Sequence, residues 1–310
     1  MHIHDDDSSV PNRSDDSHHH RDIGRRTFVH SALGMATGGV LSQVPLPAVA
    51  ALPLATAASV GRIRQSVCQW CYDRIPLSDL CAAAKRIGLL SVELLGEKDW
   101  ATVKTYGLTC AMANGPSTIR VGFNRPGEHA RLVAESERLL PLVAAAGLPN
   151  MIVFSGNRDG MSDGEGLANC VTGLKRITPL AEQLGVTVCM ELLNSRVDHK
   201  DYMCDRTPWG AELVRQVGSP RFKLLYDIYH MQIMEGDVIR TIRDNFGAIG
   251  HFHTGGVPGR NEIDESQELF YPAVMRAIAD LGYTGFVGQE FIPLRDPLSS
   301  LAQGVKICDV

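Results

Sequence analysis

The chain has 310 residues, 44% of them hydrophobic, and a formal charge of −5. That is enough apolar material for a sizeable core in one large or two small domains. The only dense basic cluster is Arg25–Arg26 near the N-terminus, which excludes the clustered Lys/Arg surface that nucleic-acid phosphates require.

Residues 1–23 are polar and aperiodic, with DDD and SDDSHHHRD, the composition of a disordered tail. GRRTFVH (24–30) follows, then a stretch rich in Ala and Gly with two A-x-A sites, Ala48–Ala50 and Ala55–Ala57. Twin arginines before such a stretch predict a twin-arginine export signal, hence the export machinery as a partner and the bacterial periplasm as destination. Gly38, Gly39, Pro45, Pro47 and Pro53 interrupt the stretch, so no run reaches the ~18 apolar residues of a membrane span. We therefore divide the chain into a tail plus signal peptide, 1–58, and a catalytic domain, 59–310. There are eight cysteines. Folding before export argues against a disulfide framework, and the lone pair Cys68-Gln-Trp-Cys71 reads as packing at a strand end.

From about Gly61 short apolar runs alternate with helical stretches. RIRQSVCQW precedes LSDLCAAAKRIG, SVELLG precedes WATVKTYG, and LTCAMANG precedes HARLVAESERLLPLVAAAG. NMIVFSG, VTVCMELLN and FKLLYDIYH each lead into a helix, the fourth helix being GLANCVTGLKRITPLAEQLG and the sixth starting at Asp237. AIGHFHTGG and GFVGQEFIP complete the series, and several helices close on glycine. Eight such pairs in about 250 residues predict an α/β fold, a single closed (β/α)₈ TIM barrel. An open doubly wound sheet would need a glycine-rich phosphate loop after the first strand, and CQWCYDRIP is not one.

A barrel places function where strands end. The fifth predicted strand ends at Glu191, the sixth at Asp227, the seventh at His253 and the eighth at Glu290. Each lies about one βα unit beyond the last. In LLYDIYHMQIMEG, Asp227 closes an apolar run, where a bare carboxylate would cost several kcal/mol without a cation or partner. Three carboxylates and one imidazole form a hard site suited to one divalent ion, Mn²⁺ or Mg²⁺ first, with Co²⁺ and Zn²⁺ open. Pairing of each acid with a nearby Lys or Arg is the alternative for any single position. His230 falls just past the sixth strand, within reach of a substrate oxygen. Arg196 and Arg260 sit in the loops after strands five and seven as bidentate partners for a substrate carboxylate, or as loop salt bridges. Asn194 either orients Glu191 or touches substrate. Glu93, ending the second strand, either enters the pocket or pairs with a core arginine, and Trp70 is a plausible apolar wall.

ELLNSR, YDIYHMQIMEGD, HFHTGGVPGRNE and GFVGQEFIP resemble the hydroxypyruvate isomerase family, within the xylose isomerase-like barrels that also hold the ketose 3-epimerases. Leu192 stands where that family has proline, and His253 is closer to the epimerases. The resemblance implies that Glu191, Asp227, His253 and Glu290 bind one divalent metal, and that Glu191 and Glu290 are also the catalytic proton-transfer pair. It implies an isomerase working through an enediolate on a small hydroxy-carbonyl acid or sugar, with hydroxypyruvate to tartronate semialdehyde as the named expectation. A ketose 3-epimerase or a sugar lyase or dehydratase could use the same metal site, and a non-catalytic sugar-binding barrel is the reading from another class. The sequence leaves the oligomeric state, including a homo-oligomer, open.

Overall fold

A computed structural model describes residues 61–310; the proposed tail and export signal lie outside the described residues. Seven parallel strands are arranged in the order β2-β1-β7-β6-β5-β4-β3. They are β1 (Arg64–Cys68), β2 (Ser91–Glu93), β3 (Asn150–Val153), β4 (Thr187–Glu191), β5 (Phe222–Asp227), β6 (Ile249–Thr254) and β7 (Phe286–Gln289). β3 and β2, at the two ends of that order, are joined through residues 109–113, which bridge Ser91 and Leu95 on one side and Met151 on the other. The result is the curled, closed α/β barrel expected from the alternating pattern.

The third predicted strand is therefore present in place but not as a regular strand. Leu94 has a φ of 59°, which ends the extended run of β2 at Glu93. The backbone of Ala111 then donates to the Ser91 hydroxyl at 2.8 Å instead of to a ladder carbonyl. Hydrogen bonds from Leu94 to Met112 and from Ala113 to Asn150 still hold the segment between its neighbours.

The outer layer is helical. α1 (Leu77–Ile87), α2 (Glu97–Thr105) and α3 (His129–Ala145) follow the first three staves. The fourth predicted helix is two, α4 (Asp163–Leu174) and α5 (Thr178–Leu184), because Pro179 in the first turn of α5 has no N–H to continue the ladder. α6 (Thr207–Val217) ends on Gly218, which takes φ 74° at no steric cost. α7 (Ile228–Met234) was not expected: the Asp227 side chain accepts from the backbone of His230 and starts a helix directly at the strand end. α8 (Val238–Asn245), α9 (Tyr271–Asp280) and α10 (Pro297–Cys308) complete the layer. The buried apolar faces of strands and helices, among them Val67, Val92, Leu132, Val188, Leu224 and Phe252, form the main core.

Candidate metal centre and cavity

The four strand-end residues converge. Glu191 and Asp227 are the last residues of β4 and β5, His253 is next to last in β6, and Glu290 directly follows β7. Parallel register sets Asp227 beside His253 and His253 beside Gly288. One ligand atom from each of Glu191, Asp227, His253 and Glu290 lies within 4.8 Å of the others, and all four residues are buried. His253 Nδ1 is 2.5 Å from Glu290 Oε2 and 3.4 Å from Glu191 Oε1, yet it makes no aligned hydrogen bond. A buried nitrogen aimed into a carboxylate cage without a hydrogen bond is an atom whose natural partner is a cation. These residues fit a hard divalent ion: three oxygen donors and one imidazole nitrogen around one point.

The orientation of His253 is set from behind. Glu93, fully buried, accepts from His253 Nε2 at 2.7 Å and from His251 Nε2 at 2.8 Å. Burial pushes the Glu93 carboxyl up, but the two imidazoles outweigh it and hold the group well below the usual carboxylate range. The imidazole proton of His253 thus belongs on Nε2, which leaves Nδ1 as the lone-pair donor toward the cage. Glu93 therefore pairs with histidines, and not with a core arginine. The Cys68 thiol touches the same pair, 3.7 Å from His253 Nε2 and 3.8 Å from Glu93 Oε1.

Arg260 closes the cage on the cavity side. Its Nη2 donates to Asp227 Oδ2 at 2.6 Å and also to Glu290 Oε2. Glu290 Oε1 accepts from the Trp70 indole at 2.6 Å. Burial raises the Glu290 carboxyl, but His253, Arg260 and the Trp70 N–H prevail and hold it low. Glu191 goes the other way: burial pushes it up, the contact with His253 opposes, and the neighbouring Glu290 charge adds to the rise. Two adjacent carboxyls are thus driven apart in proton affinity, the usual arrangement of an acid–base pair.

Above the cage lies a cavity of about 780 Å³ whose walls include Trp70, Glu191, His230, Arg260 and Glu290. His230 enters it neutral, because burial and the Arg260 charge outweigh the pull of Asp227. Asn194 Oδ1 accepts from the backbones of Val197 and Asp198, so its Nδ2 is the atom 2.7 Å from His230 Nδ1 and donates to it. The remaining imidazole proton therefore sits on Nε2, 3.1 Å from Arg260 Nη1. Two donors face one space, and an oxygen placed between them would accept from both.

The sequence-predicted residues separate into two groups. Glu191, Asp227, His253, Glu290, His230 and Arg260 come together. Asn194 is buried behind His230 and orients it instead of touching either Glu191 or the cavity. Arg196 does not reach the cavity: the turn closed by Asn194 carries it outward, where it is exposed and donates to the Ile233 carbonyl at 2.8 Å. His251, Asp198, His199 and Tyr229 were not singled out from sequence. Tyr229 donates to Asp198 at 2.8 Å and stacks under Arg260 at 4.9 Å, so it belongs to the cavity wall. Only its place two residues after Asp227 could have flagged it.

The comparisons with known proteins agree with this geometry. The family profile described as "Xylose isomerase-like TIM barrel" matches residues 81–307. A 2-oxo-tetronate isomerase of Cupriavidus necator is 31% identical over 234 residues, covering 72% of this chain and 89% of that protein. A Mus musculus protein provisionally named hydroxypyruvate isomerase is 28% identical over 250 residues, covering 75% and 90%. Among solved structures, an AP endonuclease family 2 protein from Brucella melitensis superposes with a TM-score of 0.72 at 24% identity, covering 79% of this chain and 99% of that one. D-psicose 3-epimerase with D-tagatose from Clostridium cellulolyticum superposes with a TM-score of 0.66 at 17% identity, covering 80% and 100%. The chain is an isomerase and belongs to the xylose isomerase-like TIM barrel family.

Proposed function

We propose that residues 59–310 form a divalent-metal-dependent isomerase that moves a carbonyl between adjacent carbons of a small hydroxy-carbonyl acid or sugar. Hydroxypyruvate to tartronate semialdehyde is the reaction to assay first. The observation that carries this reading is the cage itself: three buried carboxylates around a His253 Nδ1 that has no hydrogen-bond partner. Glu191, Asp227, His253 and Glu290 would hold the ion, with Mn²⁺ or Mg²⁺ the expected metals. Bound there, a divalent cation would draw charge from the substrate's two vicinal oxygens and lower the energy of the enediolate.

The remaining chemistry belongs to side chains. One of Glu191 and Glu290 takes the proton from the hydroxyl-bearing carbon, and a proton is returned to the former carbonyl carbon, while the hydroxyl proton passes to the other oxygen. The opposite proton affinities of the two glutamates give each a role. The N–H groups of His230 and Arg260 would hold the substrate oxygen that gains negative charge. Asn194 keeps the His230 proton on the cavity side.

We further propose that the Arg25–Arg26 segment directs export to the periplasm; fractionation of cells expressing the full chain and an Arg25→Lys, Arg26→Lys variant tests this, with cytoplasmic retention of the variant expected.

The catalytic test is turnover of hydroxypyruvate by Mn²⁺-loaded protein, abolished by EDTA and restored by added metal. Turnover of a free ketose with none of hydroxypyruvate would move the assignment to a 3-epimerase, which the roomy cavity favours as the second reading.

A further inference from the structure

The cavity is much larger than the reaction unit. Hydroxypyruvate has seven non-hydrogen atoms, which occupy at most about 200 Å³ even at the ~30 Å³ each that liquid water takes. The cavity measures about 780 Å³, in the range that accommodates drug-sized ligands. The surplus space is not polar. Glu191 and Leu193 lie two residues apart at the end of β4 and both reach the cavity, so the apolar wall begins beside the catalytic carboxylate. Ile152 and Phe154, also two apart at the end of β3, extend it. Beneath them Met112, Ile152, Cys189 and Leu225 make a second apolar cluster inside the barrel, with Leu94 and Phe154 packed on it.

Leu94 shows that this wall is built at a cost. Glu93 already faces the barrel interior, so strand alternation would send the next side chain outward to the helices. Leu94 instead takes φ 59° and lines the cavity. A leucine in the left-handed region costs about 1–2 kcal/mol, and such strain collects where function holds it.

We propose that Leu94, Ile152, Phe154 and Leu193 form an apolar subsite continuous with the metal cage, and that the substrate is a hydroxy-carbonyl compound bearing an alkyl or aryl substituent. This rests on the metal-isomerase reading above, and it makes hydroxypyruvate the reacting unit of a larger molecule.

The test uses n-alkyl hydroxamic acids, which present two vicinal oxygens to a metal, from acetohydroxamate to octanohydroxamate. Their affinity for the Mn²⁺-loaded protein is measured by titration calorimetry. Affinity should rise about fourfold per methylene as each is buried, then level off. In Phe154→Ala and Leu94→Gly the gain per methylene should fall to about twofold or less. Leu94→Gly separates binding from folding, because glycine adopts the same φ without strain and should keep or raise Tm. A flat series in the wild type, with acetohydroxamate still bound, overturns the subsite and leaves the metal-isomerase reading standing. A protein that binds no Mn²⁺ overturns that reading and the subsite with it.

Discussion

At the scale of single residues, two arginines make the clearest contrast. Arg260 is buried against Asp227, Glu290 and His230, whereas Arg196 is exposed on the Ile233 carbonyl. Removing a donor aimed at developing charge costs roughly 10²–10³ in rate, so Arg260→Ala should lose that much kcat/KM on hydroxypyruvate. Arg196→Ala should stay within about twofold, as surface changes do; equal losses in the two variants would break this placement. Glu93 carries a second prediction. In Glu93→Gln the amide oxygen could accept from one histidine, but the amide N–H groups would confront the other. The substitution should therefore weaken Mn²⁺ binding by roughly 10–100-fold, read from metal titration, and an unchanged Kd would show that His253 needs no such support. The roles of Arg196, Arg260 and Glu93 were not equally legible beforehand. Strand-end position placed Arg260 and Glu93 near the cavity, but whether a loop arginine turns inward depends on the turn around Asn194, and Glu93's partners lie some 160 positions along the chain.

At the scale of elements, the four strand-end ligands were readable because an acid or histidine at the end of an apolar run has few other ways to be buried. The irregular third stave and the extra helix α7 were not. Both depend on one residue's conformation, Leu94 at φ 59° and Asp227 as a helix cap, and hydrophobic pattern is blind to either. The loops after β6 and β7 are likewise joined by contacts no local pattern announces. Arg295 donates to Asp264 Oδ2 at 2.5 Å and to Glu262 Oε1 at 3.3 Å, and Ser300 adds a bond to Glu262 at 2.8 Å. Hydrogen bonds from Ser266 and the Arg295 charge, against a smaller effect of burial, lower the Asp264 carboxyl to about 2. An unfolded Asp titrates near about 3.9. The folded value is depressed, so the stabilisation is complete above that pH and is lost as pH falls toward 2. Asp264→Asn should therefore lower Tm at pH 6, and the gap to wild type should narrow from pH 4 to pH 3. A gap that stays constant with pH would mean that the ion pair contributes nothing.

At the scale of the whole molecule, the metal cage gathers one side chain from the end of each of four consecutive strands, β4 to β7. In the ion's absence the carboxylates of Glu191, Asp227 and Glu290 repel one another across less than 4.8 Å, relieved in part by Arg260 and His253. A ligand that binds only the folded barrel stabilises it by RT ln(1 + [L]/Kd), about 2.7 kcal/mol at a hundredfold excess over Kd. For a domain near 250 residues each kcal/mol shifts Tm by about 2–4 °C. Mn²⁺ at that excess should therefore raise Tm by roughly 5–10 °C, and EDTA should reverse the rise. Asp227→Asn should lose most of the metal-dependent increase, since a neutral amide is a weaker ligand at the fully buried corner of the cage. Removing the charge also relieves the repulsion, so the metal-free variant should melt no more than a few degrees from the metal-free wild type. If Mn²⁺ left the Tm of the wild type unmoved at every concentration, the four strand ends would be an ion-paired cluster and not a metal centre.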